Sequence, residues 1–221
     1  MNIEQARFNM IEQQIRPWDV LDAGILSLLA VMKREDFVPP AYHSMAFFDT
    51  EVPLPASSGE LQHMLAPRVE ARLLQELNVR RHERVLEIGA GSGYMAALLS
   101  HKARQVVTLE IDPALAKMAA DNLKRASVAN VSVVEGDGSK RLPTAGPFDV
   151  ILLSGSVAAV PQSLLAELKV GGRLAAIVGQ EPVMCAVLVT RVSEQEYKSV
   201  NLFDTVAPRL QGFDEPSRFH F

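Results

Sequence analysis

In the first third of the chain, apolar residues recur at three- and four-residue steps. Ile3, Phe8, Ile11 and Ile15 form one such set, Leu21, Ile25, Leu28, Leu29 and Met32 a second, and Val69, Leu73, Leu74 and Leu77 a third. This spacing predicts helices over 3–16, 20–33 and 65–77. Pro17 is expected to end the first, because proline disfavours helical backbone in the residue before it. Asp19, beside Trp18, is the expected cap of the second. The stretch Phe37–Leu61 is rich in proline and serine and has no period, so it is expected to be extended or irregular. A connection that long in a compact domain is usually functional or mobile.

From Arg84 the pattern changes to short apolar runs separated by helical stretches. Strands are expected at 84–88, 105–109, 131–134, 148–153, 173–178 and 185–192, and helices at 93–102, 113–125 and 160–168. Gly171-Gly172 marks the turn into the fifth strand, and Ser199–Thr205 is expected to return as an antiparallel strand. Alternation of this kind implies an α/β fold: a doubly wound, mainly parallel Rossmann-like sheet with helices on both faces and an N-terminal helical extension. The expected organisation is 1–78 as N-terminal helices and loop packed on a sheet domain, 79–221. The tail QGFDEPSRFHF is expected to be loose.

Composition narrows the function classes. The 221 residues are 48% hydrophobic and 22% charged, ordinary for a globular protein with a real core. A formal net charge of −4 does not favour a general affinity for nucleic acid. No apolar run approaches the ~18 residues of a membrane span, and MNIEQARFNMIEQQIR lacks a signal-peptide core; the expected compartment is the cytoplasm. The single cysteine, Cys185, excludes an intramolecular disulfide and a cysteine-based zinc cluster; its apolar neighbours suggest a buried strand thiol. His43, His63, His82, His101 and His220 fall in no metal-ligand spacing, so no metal is expected. No G-x-S-x-G elbow is present, which weakens a hydrolase reading. Trp18 is expected to pack in the core, or else to anchor a contact.

Chemistry concentrates at three expected strand ends. Glu87 precedes Gly89, Gly91, Ser92 and Gly93 in a strand–glycine turn–helix sequence, where glycines let backbone approach a ligand. Glu110 ends the next strand, about twenty residues on, where a carboxylate meets ribose hydroxyls. Gly136-Asp137-Gly138 follows the third strand, where a carboxylate can accept a hydrogen bond from the exocyclic amine of a base. Each feature alone is commonly just a turn or a helix cap; three in order at adjacent strand ends point to a nucleoside cofactor. The dinucleotide fingerprint wants a glycine where Tyr94 stands, and a carboxylate just before the loop suits an ammonium group better than phosphates. S-adenosyl-L-methionine carries an ammonium group, a ribose and an adenine, one for each acidic position.

VLEIGAGSGY, VTLEIDPALAKMAADNL and the block from NVSVVEGDGS through GGRLAAIVG resemble class I S-adenosylmethionine-dependent methyltransferases. MKREDFVPPAYHSMAFFDTEVPL resembles more closely the protein-L-isoaspartate O-methyltransferase family, and the likeness runs over roughly residues 8–192. The resemblance implies a protein-repair activity, methylation of isoaspartyl carboxylates in proteins or peptides. It implies that Glu87 and Gly89 hold the methionine end with Gly91 and Ser92 beneath it. Glu110 would bind ribose, Ile111 would lie against adenine, Asp137 and Gly138 would face the adenine edge, and Ser154 would lie near the methyl-transfer centre. The chain departs from the family at the substrate loop: anchored on Pro67, Leu65 occupies the serine position and His63 the threonine position. No catalytic residue is therefore certain, with His63 and Ser154 the candidates. A different small-molecule or protein acceptor, or a cofactor-binding module without turnover, are the alternatives. The N-terminal helices could cap the sheet, close over the site or mediate a dimer.

Overall fold

A computed structural model describes residues 2–59, 61–140, 142 and 146–215. Helix α1 spans Ile3–Met10 and continues through a π-helical turn, Ile11–Ile15, and a 3-10 turn, Arg16–Trp18. Pro17 thus lies inside the last turn, and the run stops at Asp19, whose φ of 59° is left-handed. Helix α2 is shorter than its pattern, Ala23–Val31. Its cap is Asp22, not Asp19: the Asp22 carboxylate accepts from the Ile25 amide. Its expected stripe also loses a member, since Leu21 is 66% exposed, ahead of the helix. Ile3 and Phe8 on α1 are likewise exposed, and Met10, Ile11 and Ile15 are the buried members.

The proline-rich stretch is more ordered than its sequence suggests. A 3-10 turn at Arg34–Asp36 leads into it, and it holds a second at Pro40–Met45 and one arm of a hairpin, β1 (Val52–Leu54) paired antiparallel with β2 (Gln62–Met64). Helix α3, Pro67–Leu77, buries Val69, Leu73, Leu74 and Leu77, each worth about 1.5–3 kcal/mol of burial.

Strand β3 (Arg84–Ile88), helix α4 (Tyr94–Lys102), β4 (Gln105–Glu110), α5 (Pro113–Arg125) and β5 (Val131–Glu135) follow, then β6 (Phe148–Val157), the short α6 (Gln162–Ala166) and β7 (Leu168–Gln180). Strands β8 (Val183–Arg191) and β9 (Tyr197–Asp204) complete a seven-stranded sheet in the order β5-β4-β3-β6-β7-β8-β9. The first five in that order are parallel, β8 pairs antiparallel with β7, and β9 pairs antiparallel with β8. Strands β6 and β7 are longer than their apolar runs, and α6 is five residues where nine were expected. Cys185 on β8 is half-buried.

One core joins the N-terminal helices, α3, α4 and α5 to one sheet face; a second, on the other face, includes Leu164 and Leu165 of α6. Trp18 is half-buried at the first core's edge, with the Arg68 guanidinium 4.1 Å from its ring and Phe203 edge-on at 5.8 Å. The chain moves outward from β3 to β5, then returns to place β6 on the other side of β3. The carboxyl ends of β3 and β6 are therefore a topological switch point, where open α/β sheets bind ligands. Among the described residues, no helix is long and apolar enough to cross a membrane.

Candidate functional site

A cleft opens at that switch point. Gly89 and Gly91 follow β3, Glu110 ends β4 and Ile111 follows it, Gly136 and Gly138 follow β5, and Ser154 lies on β6; all line it. An adjoining recess is lined by Leu65, Glu70, Glu87, Ser92, Tyr94 and Met95, and shares His63, Gly89, Gly91 and Ser154 with the cleft.

The glycine loop is held by its own amides. Gly89 and Ala90 donate to the Leu109 carbonyl, Gly93 donates to the Ala90 carbonyl, and Gly91 donates to Glu110 Oε2 at 2.8 Å. Gly89 needs its glycine: φ is +91° and an added Cβ would lie 2.8 Å from a Leu210 methyl. Gly93, φ +83°, starts α4 where a Cβ would meet the Ala119 backbone at 3.1 Å, so this glycine serves the packing of α4 on α5. The Asn122 side chain of α5 also donates to the Ser92 carbonyl.

Glu87 is fully buried. Its two oxygens accept from the hydroxyls of Thr108 and Ser154, each at 2.7 Å. Burial pushes its carboxyl up to about 7, against the pull of those two hydroxyls. Ser154 lies where β6 breaks register against β7, between Leu152 and Ser156, an irregularity of the kind found beside functional sites. Glu110 is raised by burial too, while amide donors at Gly91 and Asp112 pull it down.

Asp137 is the expected residue that does not reach the cleft. Its Oδ1 accepts from the amide and hydroxyl of Ser139, Oδ2 pairs with Lys140 at 3.0 Å, and Gly212 lies against the carboxylate. The glycines on either side line the cleft instead. Leu65 lines the recess but is buried, and its carbonyl receives Arg34 at 2.8 Å. His63 stands on β2 opposite Pro53, facing both cleft and recess.

Several site residues were not read from the sequence. Asp112 caps α5 through Oδ1, and its Oδ2 takes the Ser57 amide and hydroxyl and the Ser58 amide, clamping the hairpin tip beside Glu110. After β9 the chain folds back as a strap. Ser156 donates its amide to Pro208 and its hydroxyl to Ala207, and Leu210 donates to Ser156. The strap puts Leu210 and Gln211 on the cleft wall, so the tail expected to be loose from Gln211 onward starts docked there; residues 216–221 lie outside the described residues. Nothing in the tail's sequence signals that docking. Among the described residues, no group of three or more His, Cys, Asp or Glu side chains suits a metal ion.

The family model for protein-L-isoaspartate(D-aspartate) O-methyltransferase matches residues 5–206. The chain belongs to that family. A protein-L-isoaspartate O-methyltransferase of Methanoculleus marisnigri is 39% identical over 189 residues, 86% of this chain and 83% of the relative. One of Koribacter versatilis is 36% identical over 198 residues, 90% and 87% of the two chains. A solved protein-L-isoaspartate O-methyltransferase superposes with a TM-score of 0.81 at 26% identity, over 93% of this chain and 66% of the solved one.

Proposed function

We propose that the chain is an S-adenosyl-L-methionine-dependent O-methyltransferase that methylates the carboxylate of isoaspartyl residues in proteins. The observation that carries the cofactor reading is the state of the glycine loop. A diphosphate needs free amides at a helix N-terminus, and here the amides of Gly89, Ala90, Gly91 and Gly93 all donate within the protein. The side chains around them, Glu87, Glu110 and Glu70, are acceptors. Such a site suits hydroxyls and a cation, and the cofactor residues fit: Glu110 for the ribose, Ile111 with Gly136 and Gly138 around the adenine, and Glu87, Gly89, Gly91 and Ser92 at the methionine end. Family membership supports the isoaspartyl acceptor.

Once bound, the cofactor supplies an electrophilic sulfonium methyl group. An isoaspartyl carboxylate is already ionised near neutrality, so the chain has no proton to remove from it. Its task is to hold an oxygen in line with the methyl group and keep water away. Ser154 commits its proton to Glu87, which fixes that carboxylate rather than serving the acceptor. Among the described residues lining the cleft and recess, His63 is the one side chain able to carry positive charge. We assign it to pairing with the acceptor carboxylate, in place of the family's hydroxyl. Region 1–78 then acts as the acceptor-side cover of the cofactor unit 79–221. With one cysteine and no disulfide to maintain, the chain suits a reducing cytoplasm.

The test is transfer of labelled methyl from S-adenosyl-L-methionine to an isoaspartyl peptide beside its aspartyl twin, with Glu110→Ala as the cofactor-site control. Base-labile label on the isoaspartyl peptide alone, lost in the control, is expected. A protein whose melting the cofactor raises but which labels neither peptide overturns the acceptor assignment.

A further inference from the structure

The recess beside the glycine loop contains a charge that the mechanism above does not use. Glu70 projects from α3 into the recess wall and is 4% exposed. Its Oε2 accepts from Arg34 Nε at 3.3 Å. Arg34 is completely buried, and its remaining nitrogens donate to the carbonyls of Ala46 and Leu65. Arg7 and Glu35, farther back, pair with one another. Glu87 lines the same recess from β3 and is hydrogen-bonded only to neutral hydroxyls. The recess thus holds two buried carboxylates, of which one, Glu70, is paired with a buried guanidinium.

An ion buried without a counter-charge is costly. Burial pushes the Glu70 and Glu87 carboxyls up to about 7; the Arg34 guanidinium opposes the rise at Glu70, while at Glu87 the neighbouring Glu70 adds to it. One further positive charge in the recess would complete the set. The cofactor bears two, the sulfonium at the reacting centre and the α-ammonium at the end of its amino-acid arm. Glu70, like Glu87, lies on the recess side of the adenosine-facing cleft, which favours the end of the arm. It lines the recess without lining the cleft where Ile111 and Gly138 stand.

We propose that Glu70 and Glu87 together form the seat of the cofactor's α-ammonium group, making Glu70 a second cofactor-binding carboxylate. This rests on the cofactor reading above. The seat selects for the amino-acid arm and leaves the nucleoside half to Glu110 and the adenine-side glycines. Arg34 is a positioning residue here: it holds one Glu70 oxygen and sets the direction of the carboxylate.

The experiment compares two ligands by calorimetry. S-adenosyl-L-homocysteine has the amino-acid arm; 5′-methylthioadenosine keeps the nucleoside and thioether but lacks it. Glu70→Gln is expected to weaken S-adenosyl-L-homocysteine about tenfold or more, the effect of losing one charge-assisted hydrogen bond, and to leave 5′-methylthioadenosine within about twofold. Because Glu70→Gln leaves Arg34 buried without its counter-charge, Arg34→Met/Glu70→Met is run beside it; replacing a buried ion pair by apolar groups of similar volume often preserves folding. The same selective loss is expected. Equal losses for both ligands, or no loss for S-adenosyl-L-homocysteine, overturn the seat. Wild-type protein that binds both ligands equally also overturns it, with the adenosyl site standing. Wild-type protein that binds neither overturns the cofactor reading itself.

Discussion

Glu70 sits on the same face of α3 as Leu73, Leu74 and Leu77, three, four and seven residues ahead of them. A carboxylate on an apolar stripe is a signal the sequence does contain, and the fold explains it: the stripe faces the recess at its first turn and the core beyond. Arg34, which answers it, stands outside any periodic element and carries no comparable signal. Leu65 shows the opposite case. From the sequence it was expected to stand where the family has a serine; in the fold it is a buried side chain whose backbone carbonyl holds Arg34. Restoring the hydroxyl with Leu65→Ser is expected to cost about 2–4 kcal/mol, from a cavity plus a buried polar group, measurable by urea denaturation. His63→Ala is expected to raise KM for an isoaspartyl peptide by about tenfold, as for the loss of a charge-assisted contact. Binding of S-adenosyl-L-homocysteine, followed by calorimetry, should change far less. Equal changes in both would remove His63 from the acceptor side.

At the scale of elements, the parallel strands were legible because each is a continuous apolar run between turn residues, as strands covered on both faces must be. Segments whose placement depends on distant partners were not. The hairpin β1–β2 has three-residue strands, too short for any period, and is fixed over the cleft by Asp112 gripping Ser57 and Ser58. Asp19 and Asp22 are both good caps by type; the left-handed turn at Asp19 leaves the cap to Asp22. The strap after β9 depends on backbone bonds to Ser156, which no side-chain pattern encodes. Leu210 closes the cleft wall over Gly89 and Gly155. Leu210→Ala is therefore expected to speed cofactor dissociation by roughly five- to thirtyfold, the equivalent of about 1–2 kcal/mol of lost apolar contact. Stopped-flow displacement of S-adenosyl-L-homocysteine reads this directly, and an unchanged rate would show that the strap does not hold the cofactor.

For the whole molecule, the buried carboxylates make stability depend on pH in a specific direction. Glu70 and Glu87 have folded-state values of about 7, above the ordinary carboxyl value of 4.5, so the folded chain holds protons that the unfolded chain releases. Their contribution is present below about pH 4.5 and is lost as pH rises through about 7. Glu83, Asp112, Asp137 and Asp149 are held low by their donors despite some burial, and their contribution is lost as pH falls below the ordinary carboxyl range. The ligand-free protein should thus melt highest in mild acid and lower at pH 7.5. The rise in melting temperature given by S-adenosyl-L-homocysteine should be larger at pH 7.5 than at pH 5.5. Differential scanning calorimetry at the two pH values checks both; a flat profile would mean that the two carboxyls titrate normally.

The sequence by itself determined the alternation of strand and helix, the glycine turn after Glu87, the position of Glu110 and the family, because each is written in local spacing or in contiguous motifs. Only the tertiary structure decided which way polar side chains turn and which distant segments meet. It turned Asp137 toward Ser139 and Lys140, spent the loop amides inside the protein, brought the strap onto β6, and set Glu70, paired with Arg34, in one recess with Glu87. The physical reason is the same throughout: a hydrogen bond or buried charge is set by whatever surrounds it in space, and residues far apart in the chain supply those surroundings.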